Sequence, residues 1–218
     1  MNATTTAALP HRRTGGTIGV WWVTLTAVAI AVYAPLPYLT AGVNGLAAGG
    51  HEVAANWASR PGWVQGVLYA HMLFAGAALL LAPVQLSARL RSQVPRVHRV
   101  TGRAVVICLL AGGAAGLVLA PMNFAGPIGA AGFGALTLLS IAFPVLGVRA
   151  IRQGDAAAHR RWMLRAFAMI YAGVMLRLWL PVLVQVFDGD FARAYSFVPF
   201  LCWVPNLLVV ELVLRRRS

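Results

Sequence analysis

Six long apolar runs, at 18–39, 63–86, 97–120, 128–148, 162–187 and 197–214, constrain this chain more than any other feature. Each is near or above the roughly 18 residues that an α-helix needs to cross the hydrocarbon core of a bilayer. Within hydrocarbon every backbone amide and carbonyl must find its partner inside the protein, which leaves helices or a closed barrel. Runs of this length exclude barrel strands, so the sequence predicts an all-α membrane protein with a six-transmembrane-helix bundle. Composition agrees: 60% of the 218 residues are hydrophobic and 11% charged, well below the quarter usual in soluble domains.

Charge decides the orientation. All 18 basic residues are arginines, against five acidic ones, a net charge of +13. They lie between apolar runs rather than on an aromatic-interleaved basic face, so topology explains them and a nucleic-acid partner is not expected. With both termini in the cytoplasm (N-in/C-in), Arg12 and Arg13, the loops carrying Arg89 to Arg103 and Arg149 to Arg161, and the tail from Arg215 share the cytoplasmic side. Arg60 and Arg193 fall outside, as the positive-inside rule requires. The reading is a cytoplasmic tail at 1–17, a transmembrane domain at 18–214 and a basic tail at 215–218. The first span is too long for a signal-peptide core and is expected to stay uncleaved in a bacterial inner membrane, with the lipid bilayer as its partner. Pro35 and Pro37 bend or end it. Residues 40–62 read as a loop or short surface helix, because His51 and Glu52 do not extend to a zinc-protease pattern. Asp155 reads as an N-cap and Pro95 as a first-turn proline. Cys108 and Cys202 fall inside spans and read as packing residues.

Polar residues inside hydrocarbon are functional candidates by default. His71 and Arg177 both lie roughly 12 to 15 Å below the outer surface and Asn206 enters to a comparable level, which suggests an outer pocket for a quinone or another electron-rich small molecule. The alternative is a local structural role for Arg177, whose carbonyl loses its amide partner to Pro181. Glu211 lies nearer the cytoplasmic end, with Arg165 or Arg103 as its expected partner. As the one carboxylate inside a span, it makes ion-coupled transport less favoured. No nucleophile elbow, metal motif or phosphate loop is present.

Two further histidines, His98 and His159, open the third and fifth spans at the cytoplasmic end. Imidazoles on facing helices can ligate a haem iron, with Arg99, Arg103, Arg160 and Arg161 neutralising its propionates. On helix three, His98, Gly102, Val105, Leu109, Gly112 and Gly116 share a face within about 40°. On helix five, His159 and Arg177 are separated by whole turns, about 27 Å apart. Small residues on such stripes admit a flat ligand or, equally, a closely packed helix. The histidines themselves are either haem ligands or interfacial residues contacting lipid phosphate.

Ala70-His71, Ala82-Pro83-Val84-Gln85, His98-Arg99 with Gly102-Arg103, the run His159 to Arg165, Arg177, Pro205-Asn206 and Glu211 together resemble the bacterial membrane-protein family of domain of unknown function 2306. The likeness covers spans two to six. More distantly the layout is similar to the ascorbate-reducible transmembrane cytochromes b, whose inner haem is held by histidines on helices three and five. That resemblance implies a haem b on His98 and His159 and electron transfer, with Gly102 completing a His-x-x-x-Gly pattern and His71 matching the outer ligand on helix two. Residues 117–150 contain no histidine, so it implies at most the inner site. The competing function is a cofactor-free small transporter or an assembly scaffold.

Overall fold

The computed structural model describes residues 14–216. Arg12, Arg13 and Arg217 lie outside the described residues. The chain is all helix: α1 (Thr14–Tyr33), α2 (Leu36–Thr40), α3 (Gly42–Ala48), α4 (Glu52–Ala58), α5 (Gly62–Leu86), α6 (Ala88–Gln93), α7 (Pro95–Leu119), α8 (Gly126–Arg152), α9 (Ala156–Ile170), α10 (Ala172–Val186), α11 (Phe191–Leu201) and α12 (Val204–Arg215). Six segments among the described residues are long and apolar enough to cross a membrane: Gly19–Thr40, Gly62–Leu86, Pro95–Met122, Gly126–Arg152, Ala156–Val186 and Phe191–Arg215. The protein is therefore a multi-pass membrane protein built as an all-α six-helix bundle.

Local chemistry sets the helix ends. The Asp155 carboxylate accepts from the Ala158 amide at 2.8 Å and caps α9, Asp190 does the same for α11 through Arg193 N–H at 2.9 Å, and the Ser87 hydroxyl accepts from Leu90 N–H at 3.2 Å to start α6. Each side chain satisfies an amide that the first turn leaves orphaned. Pro95 opens α7, where its missing N–H costs nothing.

The last two spans are each built from two helices. Span five breaks at Tyr171, where the amides of Val174 and Met175 both reach the Tyr171 carbonyl, and the Tyr171 hydroxyl bonds Thr26 of α1 at 2.7 Å. His159 and Arg177 thus sit on separate helices. Span six breaks at Cys202. The Trp203 amide turns to the Phe200 carbonyl, and the Pro199 carbonyl receives the Trp203 indole N–H at 2.8 Å instead. A carbonyl released by a break is thereby satisfied inside the bundle.

The core gathers where α8, α9 and α11 meet, around Phe143, Ala166, Met169, Val198 and Cys202. Glycines set the closest approaches. A Cβ on Gly132 would lie 2.5 Å from Pro199 Cβ, and one on Gly147 would lie 2.8 Å from Met163 Sδ. Residues 42–58 fold as the short helices α3 and α4, with Val43 and Trp57 buried against Leu68 and Leu119. Gly42, at φ +69°, makes the entry to α3 in a region where glycine has no steric cost. The Tyr69 hydroxyl fastens that turn, accepting from Val43 N–H at 3.0 Å and donating to the Tyr38 carbonyl at 3.3 Å. Asn56 and Arg60 both donate to the Met122 carbonyl, at 3.0 and 3.1 Å, and tie α4 to the end of span three.

Candidate functional site

A chamber of about 430 Å³ occupies the half of the bundle away from the arginine-rich loops. It is bounded by α1, α5, α7, α8, α10 and α11, with Tyr38, Val53 and Trp57 closing it from the α2–α4 segment. Its wall is mostly apolar, and its polar side chains include His71, Arg177, Tyr38, Tyr195, Thr137 and Ser140. An apolar cleft of this size with few convergent polar groups is the usual form of a small-molecule site.

His71 reaches it from α5. Its Nδ1 lies 2.9 Å from the carbonyl of Gly112 on α7. A carbonyl only accepts, so Nδ1 carries a proton, and the neutral ring keeps a lone pair on Nε2. A Cβ on Gly116 would stand 3.4 Å from His71 Cε1, and one on Gly112 would stand 3.3 Å from Ala75 N and Phe74 Cβ. The small-residue stripe of α7 is thus filled by α5 and by the imidazole it docks.

Arg177 enters from α10. One Nη donates to the Gly173 carbonyl of its own helix at 2.9 Å. No carboxylate pairs with it among the described residues, but the Tyr38 and Tyr195 hydroxyls and the His71 ring lie within electrostatic range. Neither tyrosine hydroxyl has a hydrogen-bond partner among the described residues. Thr137 and Ser140 donate to the Phe133 and Leu136 carbonyls of their own helix at 2.6 and 2.8 Å, so their lone pairs remain. The chamber therefore holds unspent donor capacity on Arg177, Tyr38 and Tyr195 within an apolar wall.

Asn206 lies apart from this group. Its amide donates to the Ala168 carbonyl at 3.2 Å and the Cys202 carbonyl at 3.0 Å, fastening α12 to α9. The structure brings His71 and Arg177 to one chamber and gives Asn206 to helix packing. Cys108 and Cys202 both line the chamber as free thiols. Sequence reasoning missed Tyr38 and Tyr195. Tyr38 sits just past two prolines and Tyr195 two residues before the last apolar run expected from sequence, a span that in the structure starts earlier, at Phe191, and neither position carries a signal that the ring turns inward.

At the arginine-rich end, Arg165 and Glu211 form a two-pronged ion pair, Nε to Oε1 at 2.6 Å and Nη2 to Oε2 at 2.9 Å, that joins α9 to α12. The Arg165 guanidinium also lies 4.8 Å from the Trp162 ring centre, and Trp162 stacks on Phe143. His159 Nδ1 lies 2.8 Å from the Gly147 carbonyl of α8, the same arrangement as His71, and its Nε2 is again the free nitrogen. His98 is within electrostatic range of His159. With the Gln85 amide oriented to satisfy both of its ends, its nitrogen donates to His98 Nδ1 at 3.0 Å while its oxygen accepts from Thr101 at 2.5 Å and Gly102 N–H at 3.2 Å. The proton of a neutral His98 is then on Nε2. An iron between the two rings needs a lone pair from each Nε2: His159 meets this, and His98 meets it once its tautomer changes and Gln85 turns away. Arg99, Arg103, Arg160 and Arg161 are exposed around this end.

No curated protein and no solved structure matches this chain. A family model described as a predicted membrane protein, DUF2306, matches residues 68–214. That match takes in the chamber residues His71, Arg177 and Tyr195, the His98 and His159 pair and the Arg165–Glu211 ion pair, and by it the chain belongs to the DUF2306 family of predicted membrane proteins.

Proposed function

We propose that the protein binds an amphipathic, acceptor-rich small molecule of the quinone class in its intrabundle chamber. One observation carries the reading: the Tyr38 and Tyr195 hydroxyls and the Arg177 N–H groups not spent on Gly173 bring donors without protein acceptors among the described residues to a single, mostly apolar space. A quinone offers two carbonyl acceptors, no donors and a flat apolar ring, which complements such a wall. Donors left unpaired in apolar surroundings cost free energy, and a ligand that supplies acceptors removes that cost. His71, carrying its Nε2 lone pair, is the group at the chamber that can accept a hydrogen bond from the hydroxyl of the corresponding hydroquinone. The orientation that fits the arginine loops places both ends of the chain in the cytoplasm of a bacterium and the chamber in the outer half of its inner membrane.

The test is equilibrium binding of a short-chain benzoquinone to detergent-purified protein, alongside Arg177→Leu. Micromolar binding that weakens about tenfold or more in the variant supports the reading, since a charge-assisted hydrogen bond contributes about 1.5–3 kcal/mol. Equal affinity in the two proteins refutes it, provided both insert and unfold at similar temperatures.

A second reading, a b-type haem held by His98 and His159 that serves electron transfer, is supported by the His159 to Gly147 hydrogen bond, which leaves Nε2 for a metal. When bound, that group supplies one-electron chemistry. Among this chain's residues, Gly147 orients the His159 ring, and Arg99, Arg160 and Arg161, exposed at this end, would neutralise propionates, whereas Arg103 lies about 140° around α7 from His98.

A further inference from the structure

On the outer face of the bundle, a groove between α7 and α8 is lined by Val106, Leu110, Val145 and Val148, and at one end by Arg149, Arg152 and Gln153. Helical spacing puts Arg103 on the α7 face of Val106 and Leu110, one turn closer to the arginine-rich end. The groove is thus apolar along its length and basic at its mouth. No hydrogen bond or ion pair engages the side chains of Arg103, Arg149, Arg152 or Gln153 among the described residues, and all four are exposed. Arginines at the C-terminal end of α8 complement its dipole, which accounts for their axial position. It does not account for an apolar furrow leading up to them.

We propose that this groove is a binding site for an anionic phospholipid in the leaflet that faces the arginine loops. Guanidinium groups pair with phosphate oxygens in a two-pronged geometry, so Arg149, Arg152 and Arg103 hold the headgroup phosphate and Gln153 donates beside them. One acyl chain lies along Val106, Leu110, Val145 and Val148. From Arg103 to Leu110 the helix rises about 10 Å, the length of the upper part of an acyl chain. A choline headgroup would set its own positive charge against the same arginines, so the site selects anionic over zwitterionic lipid. This site is on the far side of α7 from His71 and does not depend on the chamber's ligand.

The experiment is native mass spectrometry of the full chain in mixed micelles with phosphatidylglycerol or phosphatidylcholine. The proteins compared are wild type, Arg149→Gln/Arg152→Gln, Arg89→Gln/Arg91→Gln with the same change in charge on the other basic loop, and Val145→Trp, which fills the groove from an exposed position and keeps every charge. Thermal unfolding of each confirms that the fold is retained. The expected result is retention of phosphatidylglycerol over phosphatidylcholine by wild type and by Arg89→Gln/Arg91→Gln. Arg149→Gln/Arg152→Gln loses about tenfold or more of it, and Val145→Trp loses a comparable share. Equal retention of the two lipids by wild type, equal loss in both charge variants, or full retention by Val145→Trp overturns the proposal.

Discussion

Gly132 of α8 faces the backbone of Pro199 in α11, and substitution there tests how the last span is seated. The Cβ of an alanine would lie 2.5 Å from Pro199 Cβ and 2.8 Å from its carbonyl carbon and oxygen. Carbon atoms prefer about 3.5–4.0 Å, so α11 has to retreat by about 1 Å, because a proline backbone has no rotamer with which to yield. Overpacking of this kind costs about 1–3 kcal/mol, against a gain of up to about 1 kcal/mol for replacing glycine with alanine within a helix. Gly134→Ala isolates the clash. Its Cβ would sit 4.0 Å from Ala120 Cβ, so it takes the propensity gain without the collision. The two variants should differ by about 1–3 kcal/mol, or about 2–12 °C in apparent unfolding midpoint for a chain of this size, with Gly132→Ala the lower. The assay is thermal unfolding in a single detergent, followed by tryptophan fluorescence. Since Tyr195 and Cys202 flank Pro199 and line the chamber, Gly132→Ala should also weaken benzoquinone binding. Midpoints within a degree of each other would show that α8 and α11 do not approach as described and would refute the reasoning.

The Arg165–Glu211 pair, part-exposed at the bundle edge, should show a coupling of about 0.6–1.7 kcal/mol in a double-mutant cycle of Arg165→Gln and Glu211→Gln, the range for polar pairs between membrane helices; a coupling of zero would mean the pair adds nothing to helix association. Asp155→Ala removes the cap of α9 and should cost about 1 kcal/mol, read as a lower unfolding midpoint, with Asp155→Ser recovering most of it. For the haem reading, protein expressed with haem supply should give a reduced-minus-oxidised b-type spectrum that His159→Ala and His98→Ala each abolish. A colourless, folded wild type would end that reading. His71→Ala removes the ring that fills the α7 stripe and its hydrogen bond to the Gly112 carbonyl, so it should cost about 1–3 kcal/mol, read as a lower unfolding midpoint; a midpoint equal to wild type would show that the imidazole does not bridge α5 and α7.

Much of the architecture is legible without coordinates, because hydrocarbon forces each long apolar run to satisfy its own backbone and so to be a helix. Asp155 and Pro95 mark helix starts for equally local reasons, and depth along the spans points Glu211 toward Arg165 or Arg103, between which the packing of α12 on α9 decides for Arg165. Arg177 and His71 are recognisable as costly intramembrane groups, and their matching depths follow from counting residues at a fixed rise. What sequence leaves open is direction and company. The glycines of α7 suit a flat ligand and a close helix equally well, and only tertiary packing shows Gly112 against Phe74 and Ala75 and Gly116 against Thr137 and His71. Asn206 has the depth of a pocket residue, but the way α12 lies on α9 turns its amide to Ala168. Tyr38 and Tyr195 join Arg177 only because the turn after Pro35 folds back over the bundle and span six breaks at Cys202. Helical period and membrane depth are properties of neighbours along the chain, and the sequence by itself determines them. Which faces meet depends on side-chain volumes matched between helices distant in the chain, as Phe74 is from Gly112 and Gly132 from Pro199, and that only the tertiary structure decides.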